Sequence, residues 1–221
     1  MRYALPIALF LLATPGAAKT WNPASGCTPF VTVQMKQCMV GNVAACGEGK
    51  SGTYQILSSG AAGPMKLTQA DKEGWALTEQ SFESALFLRL KKGGRQPYSL
   101  SRLLSNGAME WDYKSKFDTA PGPVSRKGSE RLTGKTRKVD GVALTAYRYE
   151  ETWTESDGGV QTFSGIGYAQ AEWRLELSGT LESHDFDGAT SRQDNTPVEF
   201  IFKGDDGFMS MVPTVGCGGS S

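Results

Sequence analysis

Hydrophobic and polar residues alternate along several stretches of this chain, as in antiparallel strands with one buried face. The alternation is clear over residues 109–117 and again over residues 173–181. In the first stretch the apolar side carries Met109, Trp111, Tyr113 and Phe117. In the second stretch Arg174, Glu176 and Glu182 are predicted to face outward, and leucines to face inward. Both stretches predict strands of a sheet that covers a core.

Two turn signals connect further alternating segments. Asp140-Gly141 is favoured in two-residue type I′ hairpin turns, and a second turn is predicted at residues 156–159. Counting outward from the first turn sets Leu132 opposite Tyr149 and Arg131 opposite Glu150. Counting from the second turn gives the predicted pairs Trp153–Thr162, Tyr149–Ile166 and Tyr147–Tyr168. One apolar face across three strands would then hold Leu132, Tyr147, Tyr149, Trp153, Ile166 and Tyr168.

Helical signals are few. Ser99 is a suitable N-cap for a helix over residues 99–105, in which Leu100, Leu103 and Leu104 form a stripe that Asn106-Gly107 can end. A weaker helix start is predicted at residues 68–71, and residues 82–90 fit a strand or a helix equally well. Residues 53–58 and 198–202 are further strand candidates. The expected fold is mainly β: a curved antiparallel meander or half-barrel, with one to three short helices packed on or near one face.

The N-terminus has the layout of a secretory signal peptide. Arg2 is followed by an uncharged apolar run over residues 3–13, and small residues stand at Gly16 and Ala18. We place cleavage after Ala18, because the apolar run is shorter than the roughly 20 residues that a spanning helix needs. The chain has no second apolar run of that length. Residues 19–221 are therefore expected to form a single exported domain that does not span the membrane after processing.

Four cysteines in an exported chain predict two disulfides. They are Cys27, Cys38, Cys46 and Cys217. If Lys36-Gln37 forms a tight turn, Cys27 lies opposite Cys46, within disulfide range. This favours Cys27–Cys46, and with it Cys38–Cys217, among the three possible pairings. A metal site is the weaker alternative, because the chain has no C-x-x-C spacing and a single histidine.

The composition of the chain argues against several classes of function. The chain has 23 basic and 23 acidic residues, so no charge excess favours nucleic acid or an anionic membrane surface. Gly-rich phosphate loops and dinucleotide fingerprints are absent from the sequence, and no cofactor is expected.

Catalytic candidates are weak. His184 lies in a polar loop, and the sequence has no G-x-S-x-G motif that would supply a nucleophilic serine. This favours a solvated histidine over a catalytic base. Glu110 with Asp112, and Glu150 with Glu151, are carboxylate pairs, but Glu150 and Glu151 should point to opposite faces of a strand. The acidic turn at residues 185–188 favours turn chemistry over calcium binding. The basic segment 126–138 is explained most simply as a solvated strand face, with Glu130 and Glu150 as counter-charges.

Three segments resemble uncharacterised exported proteins of marine alphaproteobacteria. They are Phe30-x-Val with Gln37-Cys38 and Cys46, residues 99–104 with Gly107, and residues 194–202 with Gly207-Phe208. The resemblance implies a periplasmic address and brings no catalytic residue. In strand pattern alone, the chain also resembles half-barrel lipoprotein carriers of the bacterial envelope.

These observations favour a non-enzymatic periplasmic protein, a carrier or binding module for an apolar ligand, a lipid or an envelope component. The alternative is a disulfide-stapled interaction module with a fully packed core and an envelope protein as partner, and a carboxylate-based hydrolase comes third. Glu151 would give the predicted aromatic face a polar contact. The candidate ligand-lining residues are Trp111, Tyr147, Tyr149, Glu151, Trp153, Ile166 and Tyr168.

Overall fold

The computed structural model describes residues 19–47, 52–84, 87–89, 98–116 and 123–218. The predicted signal peptide, residues 1–18, and Phe117 lie outside these ranges. The described strands are β1 Cys27–Met35, β2 Met39–Cys46, β3 Thr53–Gly60, β4 Gly63–Asp71, β5 Ala76–Ser81, β6 Phe87–Arg89, β7 Ala108–Lys116, β8 Pro123–Val139, β9 Val142–Thr154, β10 Val160–Gln170, β11 Leu175–His184, β12 Thr190–Asp194 and β13 Pro197–Ile201, and the helix is α1 Leu100–Asn106.

Two antiparallel sheets make up the fold. The first has seven strands in the order β13-β1-β2-β3-β4-β5-β6, and the second is a six-stranded meander in the order β12-β11-β10-β9-β8-β7. Neither sheet closes into a barrel. The predicted mainly β, antiparallel meander with a short helix is therefore confirmed.

The helix forms where its capping residues predict it. The Ser99 side chain accepts a hydrogen bond from the backbone N–H of Arg102, and Gly107 takes the left-handed conformation that ends the helix, with φ of 76°. The helix predicted to start at residues 68–71 is wrong, because that segment belongs to β4 and pairs with β3 and β5. Pairing on both sides outweighs a weak local preference for helix.

The first hairpin turn is confirmed, but the register beyond it differs from the prediction. Val139 pairs with Val142 as expected, and an irregularity between Leu132 and Thr136 then shifts β8 by two residues. Leu132 consequently pairs with Tyr147, and the predicted pair of Arg131 with Glu150 is wrong, since Arg131 lies opposite Arg148. A two-residue shift preserves the face of every side chain, so Leu132 stays with the tyrosines.

The register of β10 is displaced by one residue, and this changes faces. Val160 pairs with Thr154, which leaves a five-residue loop rather than the predicted four-residue turn. A one-residue slip moves side chains to the other side of the sheet. Ile166 therefore pairs with Arg148, and Tyr168 pairs with Ala146. The predicted placement of Ile166 and Tyr168 on the aromatic face is wrong.

We use "aromatic face" for the side of the second sheet that carries Leu132, Tyr147, Tyr149, Glu151 and Trp153, and "opposite face" for the other side. The first sheet contacts both. Val142 and Leu144, on the opposite face, share a buried cluster with Val33 of β1. On the aromatic face, the Trp75 ring lies 4.3 Å from that of Tyr113. The first sheet therefore packs on the opposite face at the β8–β9 hairpin end of β9 and on the aromatic face near the other end of β9.

Both predicted disulfides are present. Cys27 pairs with Cys46, and Cys38 with Cys217 across 179 residues. The turn is Lys36-Gln37-Cys38 rather than two residues, and an irregularity between Pro29 and Val31 restores the opposition of Cys27 and Cys46.

The C-terminal segment covers the outer side of β1 and β2. Thr32 and Asn42 are fully buried polar residues there. The Thr32 hydroxyl accepts a hydrogen bond from the Met209 amide at 2.7 Å, and the Asn42 amide donates to the Ser210 carbonyl at 2.8 Å. These bonds satisfy polar groups that would otherwise be costly to bury.

Candidate functional site

The structure brings five of the seven predicted ligand-lining residues together. Tyr147, Tyr149, Glu151 and Trp153 alternate along β9 on the aromatic face. Trp111 joins them through Gly128, which pairs with Trp111 on one side and with Glu151 on the other.

Glycines opposite the aromatic residues allow the rings to lie flat on the sheet. A Cβ atom at Gly167 would stand 2.2 Å from Cζ of Tyr147, and one at Gly128 would stand 2.5 Å from the Trp111 ring. These distances leave no space for any side chain, so the rings occupy the positions that the glycines leave open. The sequence contains the glycines, but their role depends on the register.

One half of the aromatic face is covered by α1. Leu100 and Leu103 are completely buried against Met109, Trp111 and Tyr147. The carboxylate of Glu73, at the β4–β5 turn, anchors the start of the helix. It accepts hydrogen bonds from the Ser99 hydroxyl at 2.5 Å and from the Ser101 hydroxyl at 2.9 Å. This half is packed core.

Two carboxyl groups lie within this covered half, in what we call the carboxyl–tyrosine cluster: Tyr98, Glu130, Tyr147 and Glu176. The Tyr98 hydroxyl contacts Glu176 closely and lies 3.1 Å from Oε2 of Glu130. A tyrosine hydroxyl has one proton and can donate it to only one carboxyl group. The second carboxyl group must therefore itself be protonated.

The pKa values of the two acids agree with this requirement. Burial raises the pKa of Glu130 to about 9, and the nearby Glu176 carboxylate adds to the rise. Burial raises the pKa of Glu176 to about 7, while hydrogen bonds from Tyr98 and Tyr147 oppose the rise. At neutral pH, Glu130 is the protonated member of the pair.

Our sequence predictions missed this cluster. Glu176 was expected to face outward and Glu130 to lie on a solvated strand face, and both expectations are wrong. Leu175 and Leu177 do face the core as predicted. Glu176 pairs with Ala169 on the other side of the strand, which is also covered. Alternation identifies one buried face and gives no sign when the second face is buried too.

The other half of the aromatic face carries what we call the arginine box: Trp75, Tyr113, Arg126, Glu151 and Trp153. The Arg126 guanidinium stacks on the Trp153 indole at 3.9 Å from the ring centroid. Arg126 is only 8% exposed, so the prediction of a solvated basic face is wrong for this residue. Its β8 position, opposite Trp153, turns it inward.

Buried hydrogen-bond donors without an acceptor concentrate in this box. Among the described residues, no protein atom accepts a hydrogen bond from Nε or Nη2 of Arg126, from Nε1 of Trp75 or from Nε1 of Trp153. Leaving a buried donor unsatisfied costs about 1–3 kcal/mol, and more when the group is charged. Four such atoms in one place make the box a candidate binding site.

Acidic groups around Arg126 are engaged elsewhere. Glu79 makes an ion pair with Lys66 at 3.0 Å. Burial raises the pKa of Glu151, while the charge of Arg126 and the indole N–H groups of Trp153 and Trp111 oppose the rise. The Trp153 N–H approaches the Glu151 carboxyl without closing a hydrogen bond of normal geometry. Glu151 therefore has a reduced tendency to ionise within the box.

The opposite face, beyond the part covered by the first sheet, is open and polar. Three adjoining hollows of about 450, 520 and 370 Å³ lie along it, and Glu150 lines all three. Ile166, displaced from the aromatic face, lines the first of them. The charged residues around the hollows are Glu110, Asp112, Lys127, Arg131, Arg148, Glu150, Glu182, Arg192 and Asp194.

A further hollow of about 600 Å³ opens beside the β10–β11 turn and is lined by Lys72, Trp173 and Arg174. Its arginine is already engaged, because Arg174 donates to the Lys72 carbonyl at 2.9 Å and to the Glu73 carboxylate at 2.5 Å. We interpret these contacts as structural, since they tie the β10–β11 turn to the β4–β5 turn.

Other candidates from the sequence lie apart from these surfaces. His184 is exposed at the end of β11, with Nδ1 3.0 Å from the Thr190 hydroxyl and Nε2 3.2 Å from Glu182. Residues 185–188 form a turn in which Asp185 is half-buried and Asp187 is exposed. Across the described ranges, histidine, cysteine and acidic side chains form no group of three or more that could hold a metal ion.

Comparisons with known proteins add no assignment. No family model matches the chain, and neither the curated proteins nor the solved structures contain a match. Within the described part of the chain, no helix has the length and apolar character needed to cross a membrane. Two disulfides in an antiparallel β fold are consistent with a non-enzymatic module of an oxidising, extracytoplasmic compartment.

Proposed function

We propose that this protein is an exported, non-enzymatic binding module of the periplasm that holds the polar head of a small ligand in the arginine box. The observation that carries the proposal is a group of four buried donor atoms, on Trp75, Arg126 and Trp153, that have no acceptor among the described residues. Ligand sites combine apolar and aromatic walls with a few convergent polar groups, and the box has this composition.

The contrast between the two halves of the aromatic face supports this location. In the covered half, the Tyr98 hydroxyl has partners on Glu130 and Glu176, and leucines from α1 fill the remaining space. In the box, Nε and Nη2 of the buried Arg126 have no acceptor within the described chain, whereas the rest of its guanidinium hydrogen-bonds Tyr113 and stacks on Trp153. The aromatic residues of the covered half therefore stabilise the fold, and those of the box surround donor atoms that a ligand would satisfy.

The periplasmic address rests on the N-terminal sequence and the cysteines. A charged residue, a short apolar run and small residues before the predicted cleavage point are typical of secretory signals. Both disulfides agree with an oxidising compartment. The resemblance to exported alphaproteobacterial proteins is consistent with the same address.

Native mass spectrometry of protein purified from the periplasm tests the proposal. We expect a ligand adduct on the wild type that is lost in Arg126→Leu. Arg137→Leu is the matched control, because Arg137 also lies in β8 but takes no part in the box, and it should keep the adduct. Denaturation midpoints of all three proteins establish that each is folded. A wild type without any adduct that also binds no added probe would contradict the proposal.

A second function is favoured by the hollows of the opposite face. An interaction module with a protein partner would use that surface, whose side chains carry both signs of charge. Arg148→Glu would then abolish capture of the partner, while Lys203→Glu, at an exposed position outside the sheets, would not.

A further inference from the structure

The two unpartnered nitrogens of Arg126 lie on the same edge of its guanidinium. Nε and Nη2 carry N–H groups that point in parallel, which is the arrangement that binds two oxygen atoms at once. Both atoms are buried, and neither donates to any atom of the described residues. A single water or hydroxyl oxygen can lie against this edge, but it brings no negative charge to the buried guanidinium.

A carboxylate matches this edge in shape and in charge. Its two oxygens are coplanar and spaced to accept from Nε and Nη2 together, and the resulting bonds are charge-assisted. The chain's own nearby carboxyl groups do not take this role: Glu79 is paired with Lys66, and no described carboxyl group accepts from Nε or Nη2. Two buried guanidinium N–H groups without acceptors are costly, so an external carboxylate would stabilise the box.

We propose that Arg126 binds the carboxylate of a small organic acid through Nε and Nη2, with the body of the ligand against the rings of Trp75, Tyr113 and Trp153. This inference rests on the proposed function, because it names the head group of the ligand in the same box. The aromatic walls favour a flat or apolar body. The Trp75 N–H, which has no acceptor among the described residues, supplies a further donor.

Glu151 lies on the same face of the sheet as Arg126, one same-face position along β9 from Trp153, which pairs with Arg126. Its ionisation should therefore make binding depend on pH. The charged and titratable groups that interact with its carboxyl are Arg126, Glu79, Tyr113, Glu130 and Tyr149, and burial raises its pKa. Once ionised, Glu151 competes with the ligand carboxylate for the charge of Arg126. Ligand affinity should therefore fall as pH rises through the raised pKa of Glu151, and Glu151→Gln should remove this dependence and tighten binding at high pH.

Isothermal titration with benzoate and with benzyl alcohol tests the head group. These probes share an aromatic ring and differ in the carboxylate. We expect benzoate to bind the wild type and benzyl alcohol to bind much more weakly. Arg126→Lys keeps the charge but loses the two-point edge, and it should weaken benzoate binding by about tenfold or more. Arg137→Lys should bind as the wild type does.

The outcomes separate the two proposals. Equal binding of both probes, or tighter binding of inorganic phosphate than of benzoate, would overturn the carboxylate assignment and leave the binding module standing. Failure of every probe, together with the absence of a native adduct, would overturn both. If Arg126→Lys does not fold, Glu151→Gln decides the matter: unchanged affinity and unchanged pH dependence for benzoate would contradict the assignment.

Discussion

Asp140 and Phe200, 60 residues apart in the chain, are joined by a hydrogen bond in which the Phe200 amide donates to Oδ2 of Asp140 at 2.9 Å. Asp140 lies at the tip of the β8–β9 hairpin and Phe200 lies in β13. The side chain of a turn residue in one sheet thus pairs with the backbone of the outer strand of the other. This contact occupies an edge amide that could otherwise pair with another chain.

Removing the Asp140 carboxylate should weaken the contact between the sheets. Asp140 has a positive φ of 45°, which glycine adopts readily, so Asp140→Gly removes the acceptor without opposing the turn. We expect a loss of about 1.5–3 kcal/mol, the usual range for a hydrogen bond to a charged group. Denaturant unfolding measures it, and Asp206→Gly, at an exposed loop position, is the control. Equal midpoints for the two variants would contradict the prediction.

The two disulfides should differ in their contribution to stability. Cys38–Cys217 closes a segment with a sequence separation of 179, against 19 for Cys27–Cys46. In the chain-entropy account, the longer loop contributes about 5 kcal/mol and the shorter about 3 kcal/mol. Replacing both cysteines of a pair with serine should therefore lower the melting temperature more for Cys38–Cys217 than for Cys27–Cys46. Mass mapping of the wild type should find no free thiol.

Stability should be highest at mildly acidic pH and fall toward alkaline pH. In the unfolded chain the carboxyl of Glu130 loses its proton near its ordinary pKa of 4.5, whereas burial holds its pKa at about 9 in the folded protein. Between these values the folded state binds more protons than the unfolded state, so the free energy of unfolding falls as pH rises. Glu176, whose pKa burial raises to about 7, acts in the same direction.

Glu130→Gln tests this dependence. Glutamine imitates the protonated acid beside Tyr98, so the variant should lose much of the decline in melting temperature between about pH 5 and about pH 9. Glu110→Gln changes an exposed acid and should retain the wild-type profile. A steep decline that survives in Glu130→Gln would show that other groups cause it.

Alanine at the glycines beneath the aromatic rings should destabilise the protein. At Gly128 a Cβ atom would lie 2.6 Å from the Glu150 carbonyl oxygen, in addition to its clash with Trp111. At Gly167 it would meet the Tyr147 ring. Each change should cost about 1–3 kcal/mol as overpacking. Gly218→Ala, where a Cβ would have no neighbour within 4 Å, should be neutral, and the denaturation midpoints compare the three.

The sequence determined features that depend on neighbouring residues. Alternation identified β7 and β11, Asp140-Gly141 identified the β8–β9 hairpin, and Ser99 with Gly107 marked the ends of α1. The even number of cysteines, together with the predicted export signal, predicted the two disulfides. In each case the physical cause lies within one strand, one turn or one helix end, where a few residues decide the backbone conformation.

Tertiary structure decided the register and the burial of charge. The irregularity after Leu132 and the five-residue loop before Val160 each change how many residues separate paired positions, which the alternation within a single strand does not specify. The second of these moved Ile166 and Tyr168 to the opposite face. The aromatic face was predicted correctly along β9. Side chains alternate between the two faces of a strand every second residue, and this alternation does not depend on the register with neighbouring strands.

The candidate site shows the same division. Trp111, Glu151 and Trp153 followed from strand alternation, whereas Arg126, Glu130 and Glu176 looked like ordinary solvent-facing charges. Their burial depends on α1 and on β5, which pack over a face that the sequence pattern alone leaves undefined. A charged residue carries no local sign of being buried, because its environment comes from segments far away in the chain and is fixed only when the sheets pack together.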